Sequence, residues 1–68
     1  MKTRYPSEQR EMALKLLGMR IEGSFATAFL EAFLRADLAN QAVLGKAFDA
    51  FAEKFGWEQK LTWETIKR

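Results

Sequence analysis

A chain of 68 residues, 49% hydrophobic and 29% charged with a net charge of +2, has room for one folded domain and is too apolar to be a disordered segment. It holds neither cysteine nor histidine, which excludes disulfides and takes both usual ligands from a structural zinc site. The opening MKTRYPSEQRE has no apolar run behind its charges, and no stretch approaches the roughly 18 apolar residues of a membrane span, so neither a signal peptide nor a membrane anchor is expected and the cytoplasm is the expected compartment.

Pro6 and Ser7 open the first predicted helix, over residues 7–20, because proline is tolerated in the first turn and serine caps well. Glu8 and Glu11 then sit where the helix dipole favours negative charge. Met12, Ala13, Leu16 and Leu17 give the apolar face, and Glu11 with Lys15 forms an i, i+4 pair outside it. Gly18 ends this helix or loosens it, with Glu22 and Gly23 in the turn beyond.

The second predicted helix, 24–36, is the most apolar. Ser24 is its expected cap, and Phe25, Phe29 and Phe33 make one ridge with Ala28 and Ala32 beside it and Leu30 and Leu34 on the other flank. Only Thr27, Glu31 and Arg35 form a polar strip. A helix apolar nearly all round belongs in the middle of an assembly. A domain this small buries only about 60% of its unfolded surface, so the expected remedy is a second chain, most simply a second copy.

Asp37 is placed to cap a third helix over 38–55, following the second through a tight corner. Leu44, Ala47, Phe48, Phe51 and Phe55 recur at core-facing spacing, with Lys46, Asp49, Glu53 and Lys54 on the other side. Gly45 inside this helix costs about 1 kcal/mol relative to alanine, which a close helix approach would explain. Gly56 closes the helix, and Trp57 is placed to fold back on its last turn. The tail holds a short turn or helix over 62–67 capped by Thr62. The alternation Leu61, Trp63, Thr65 also fits a strand, but one without a partner. The fold expected is all-α: a compact three-helix bundle with a short C-terminal element, dimeric, with the second helix at its centre.

Chemistry is sparse. The close acidic pairs, Glu8 with Glu11 and Asp49 with Glu53, stand at helical spacing on faces expected to be wet, which favours solvation over acid–base work. No glycine-rich phosphate loop and no calcium-loop spacing occurs. No catalytic residue, cofactor site or metal site is expected. The charge is unevenly placed: residues 1–20 carry five bases, Lys2, Arg4, Arg10, Lys15 and Arg20, against two acids, while 21–40 have an excess of two acids. This candidate basic patch is the alternative reading, in which the first helix meets the phosphates of a nucleic acid.

Two resemblances bear on function. RYPSEQREMALKLL resembles the first helix of transposase-type DNA-binding domains, but the helix after it, FATAFLEAFLRA, has none of the polar face that a recognition helix needs. AFLRADLANQAVLGKAFDAFAEKFG, residues 32–56, resembles a pattern in small uncharacterised helical proteins encoded by bacteriophages and prophages. That resemblance implies no catalytic residue; it implies a compact protein that binds a host protein and blocks or redirects it. A protein-interaction module follows as the expected function, with an interface drawn from Phe25, Phe29, Leu30, Phe33 and Leu34 and an aromatic cluster of Tyr5, Trp57 and Trp63.

Overall fold

The computed structural model describes residues 4–67, with side chains for 4–63. Four helices follow in order, α1 Pro6–Met19, α2 Ser24–Arg35, α3 Leu38–Phe55 and α4 Trp57–Lys67, and there is no strand among the described residues. The radius of gyration, 11.3 Å, is close to the roughly 11 Å of a compact chain this long.

The caps of α1 and α2 differ from the expected ones, whereas Asp37 caps α3 as expected. Tyr5 rather than Ser7 precedes α1, its backbone N–H held by the Glu8 carboxylate at 3.1 Å, and Pro6 is the first helical residue. α1 runs through Gly18 and stops at Arg20, a left-handed residue with φ 55°. Gly23 caps α2, and Ser24 is already helical. At the α2–α3 corner the Asp37 carboxylate accepts the Asn40 N–H at 2.8 Å. Gln41 then reaches back to the Phe33 carbonyl at 3.1 Å, fastening the corner from inside.

The largest departure is at the C-terminus, where a full helix of eleven residues starts at Trp57, not a short element at Thr62. Gly56, with φ 66°, ends α3 by donating its N–H to the Ala52 and Glu53 carbonyls, and its own carbonyl accepts the Lys60 N–H at 3.0 Å. One left-handed residue thus closes one helix and opens the next. The bundle is therefore built of four helices rather than three.

Buried Ala13 and Leu16 of α1, Ala26, Leu30 and Phe33 of α2, Phe48 and Ala52 of α3 and Trp57 of α4 make one core. The expectation that α2 is central gives way: α1 and α3 each lie against all three other helices, whereas α2 and α4 have no close backbone approach among the described residues.

Two polar networks lock this arrangement. In the first, Arg4 and Asp49 pair inside the protein at 3.0 Å, with Gln9 Nε2 donating to Asp49 at 3.2 Å and to the Gly45 carbonyl at 3.0 Å. Asp49 is thus buried, and its reading as half of a solvated acidic pair with Glu53 is corrected. In the second, the Glu22 carboxylate, only 4% exposed, accepts the Trp57 indole N–H at 3.0 Å and the Lys60 ammonium at 2.6 Å. Gly45 has its explanation here: a Cβ would stand 3.1 Å from the Gln9 amide oxygen. The glycine seats a side chain of α1, not a second helix backbone.

Candidate interaction surface

The six phenylalanines form one chain of ring contacts running from the core to the surface. Phe33 packs on Phe48 with centroids 5.0 Å apart, Phe29 on Phe51 at 4.9 Å and Phe25 on Phe51 at 5.4 Å, the last two edge to face. Phe55 continues the row beside Phe51 at 5.8 Å. Phe33 and Phe48 are fully buried, Phe29, Phe51 and Phe55 are half-buried, and Phe25 is 61% exposed. The rings therefore fill a seam between α2 and α3 whose outer edge is open to solvent.

On the solvent side of that seam each helix carries an apolar stripe. On α2 it is Phe25, Ala28 and Ala32, spaced i, i+3, i+7, with Ala36 just past the end of the helix; on α3 it is Ala39, Val43, Ala47 and Ala50, spaced i, i+4, i+8, i+11. Such spacings keep each set on one side of its helix. Ala36 and Ala47 are half-buried and the other six are exposed, Val43 by 74%. Leu38, at the start of α3, is also exposed. The α2 stripe contains no ionisable group, whereas Lys54 lies on the α3 stripe, its ammonium 6.0 Å from the Phe55 ring centroid. Charges flank the face, with Glu31 and Arg35 along α2 and Lys46 and Glu53 along α3.

This face redistributes the expected interface. Leu30 and Phe33 are buried within the chain and Trp57 is wholly enclosed by it, so none of the three can meet a partner in this fold. Phe29 and Leu34 keep only part of their surface, and Phe25 keeps most of it. Tyr5 and Trp63 are exposed, but with Trp57 inside the core the three rings make no single cluster. The exposed residues that sequence reasoning misses are Ala28, Ala32, Leu38 and Val43. Their signal is present as apolar positions on the far side of each helix from the core stripe.

The basic set does not assemble. Arg4 is buried on Asp49 and also lies 3.4 Å from Glu58; Lys15 pairs with Glu11 at 3.1 Å. Arg10 and Arg20 are exposed, and Lys2 lies outside the described residues. An open cleft of about 250 Å³ between α1 and α4 is lined by Glu8, Glu11, Lys15 and Glu58 over Met12 and Leu61. Its charges are engaged close by, with Lys15 on Glu11 and Glu8 on the Tyr5 N–H. Among the described residues no group of three or more metal-binding side chains converges, and no helix is long and apolar enough to cross a membrane.

Comparison of the chain with protein-family models, with curated proteins and with solved structures found no match.

Proposed function

We propose that this protein is an interaction module, a small regulator or inhibitor that acts by binding another protein through the outward face of α2 and α3. The observation that supports this reading is the run of exposed Phe25, Ala28, Ala32 and Val43 along an open aromatic seam. An exposed apolar face interrupted by the single cation Lys54 and rimmed by charges fits a protein-binding surface. The resemblance of residues 32–56 to small phage-encoded helical proteins makes a host protein the expected target, to be blocked or redirected by occupation alone. Nucleic-acid binding has less support, because Arg4 is withdrawn onto Asp49 and Arg10 and Lys15 stand about 140° apart round α1.

The test is photo-crosslinking in producing cells, with a benzophenone side chain placed in turn at Ala32, Val43 and Leu14. Leu14 is exposed on α1, away from the face. Adducts heavier than the chain are expected from Ala32 and Val43 and not from Leu14. Silence from both Ala32 and Val43 would overturn the reading.

A further inference from the structure

We infer that the segment covering the α2–α3 face is an amphipathic helix of the partner protein, with a carboxylate beside Lys54 at one end of its apolar stripe. This inference rests on the proposed interaction surface and names the chemistry of what covers it.

The helical form follows from what the face offers. Phe25, Ala28 and Ala32 of α2 and Ala39, Val43 and Ala50 of α3 present exposed apolar side chains, and the mid-helix peptide groups beneath them are engaged in the helices' own hydrogen bonds. A covering segment therefore finds no backbone donor or acceptor there. It has to satisfy its peptide groups internally, which a helix does and a lone extended segment does not. There is no strand among the described residues, and so no sheet edge for an added strand to pair with. Small side chains at Ala28, Ala32 and Ala50 also let a third helix axis come close. The 12 residues of α2 give a bed about 18 Å long, which matches roughly three turns of such a helix.

The carboxylate follows from Lys54. Its side chain is exposed on the α3 stripe, with the ammonium 6.0 Å from the Phe55 ring centroid. Among the described residues the ion pairs join Arg4 to Asp49 and Glu58, Lys15 to Glu11 and Lys60 to Glu22, and none reaches Lys54. Glu53 projects about 100° away round α3, on the flank of the face. A partner laid over the stripe strips water from the ammonium, and a cation desolvated without a counter-charge is costly. Cover is favourable when it brings the missing negative charge.

The ring contacts fix where that charge comes. Phe25 packs on Phe51 at 5.4 Å and Phe51 on Phe55 at 5.8 Å, so the start of α2 and the end of α3 lie together, with Lys54 at that end. From there both stripes run towards Asp37 with no further ionisable side chain. The matching helix carries one acid at an end and apolar residues three or four, seven and eleven positions from it, counted in either chain direction.

Fluorescence anisotropy of three labelled peptides titrated with the full chain is the test. Each peptide is an alanine- and leucine-rich helix of about four turns with that apolar spacing, and they differ only in glutamate, glutamine or lysine at the end position. The glutamate peptide is expected to bind about fivefold tighter than the glutamine peptide, the contribution of one partly screened ion pair, and the lysine peptide weakest. Lys54→Glu, at unchanged helicity by circular dichroism, is expected to reverse the order, and Val43→Glu to abolish binding of all three. Equal affinities for the three peptides overturn the inference, as does an order that Lys54→Glu leaves unchanged, binding that survives Val43→Glu, or no saturable binding at about 1 mM. The two readings fail separately. Adducts from Ala32 and Val43 in cells without any charge preference among the peptides sink only the acidic helix, whereas silence from both positions sinks the surface and this inference with it.

Discussion

Arg4 and Asp49 are held 3.0 Å apart inside the protein although 45 residues separate them, and the backbone N–H of Arg4 points at the same carboxylate at 3.4 Å. The pair fixes the start of α1 against the middle of α3, and Glu58 of α4 stands 3.4 Å from the other guanidinium nitrogen. Three helices therefore share one cation.

Removing one member should cost far more than removing both. Asp49→Ala removes the carboxylate paired with the buried Arg4 guanidinium and is expected to cost about 3–5 kcal/mol. The double substitution Arg4→Met with Asp49→Leu removes the stranded charge and should recover most of that loss. Urea denaturation of the two variants checks the order; equal losses would show that burial of the pair has no energetic role.

The second network separates two contributions of one carboxylate. Glu22→Ala leaves the buried Trp57 N–H without its acceptor and is expected to cost about 1–3 kcal/mol. Glu22→Gln keeps an acceptor oxygen for the indole and loses only the charge facing Lys60, which is partly solvated and worth about 1 kcal/mol or less. Denaturation in a Trp63→Phe background reports on Trp57 alone by its fluorescence.

The ring series reads burial directly. Phe33→Ala is expected to cost about 3–5 kcal/mol, the range for a fully buried ring. Phe29→Ala should cost less, because part of that ring already faces water. Phe25→Ala should barely change the stability of the monomer, since its contact is a single edge-to-face packing on Phe51 worth about 0.5–1.5 kcal/mol. Melting curves would invert this order only if the seam opened the other way.

The helical class is legible because local signals agree: the Leu44, Phe48, Phe51, Phe55 spacing admits only a helix, and Asp37 is followed by no glycine or proline that would break the corner. What escapes is set by distance along the chain. Asp49 stands four residues from Glu53, the spacing of a solvated pair, and nothing near it announces an arginine 45 positions upstream. Trp57 and Glu22, 35 residues apart, are invisible to each other for the same reason. α4 is longer than its sequence suggests because Gly56 reads as a terminator, although a left-handed residue can stop one helix and start another without a linker. The apolar excess of α2 is visible, but not which side of it the chain itself covers: the Ala26, Leu30, Phe33 side is buried and the alanine side is left open.

Two glycines that look alike in sequence should respond with opposite sign. Gly18 lies inside α1, where a Cβ would meet nothing within 4 Å, so Gly18→Ala removes a helix-interior penalty and should stabilise by about 0.5–1 kcal/mol. Gly56 sits at φ 66°, where a side chain costs about 1–2 kcal/mol, and the Gln59 side chain would also have to move from 2.9 Å. At about 4–8 °C per kcal/mol for a domain this small, thermal unfolding should separate the two variants widely.

Gly45 and Gln9 test whether a glycine can be kept for a neighbour's side chain. A methyl group at Gly45 would stand 3.1 and 3.3 Å from the two amide atoms of Gln9, whose Nε2 is hydrogen-bonded to the Gly45 carbonyl and to Asp49. Gly45→Ala alone gains about 1 kcal/mol of helix propensity but displaces that amide, and a buried polar group left unpaired costs about 1–3 kcal/mol; a net loss is expected. Gln9→Ala alone is also expected to destabilise, since Asp49 then keeps only its arginine partner. Once Gln9 is gone, however, the methyl group has space and its propensity gain is unopposed, so Gly45→Ala should stabilise the Gln9→Ala protein. A double-mutant cycle by urea denaturation should therefore return a favourable coupling of about 1 kcal/mol or more. Strictly additive losses would mean that Gly45 and Gln9 are neighbours without being fitted to each other.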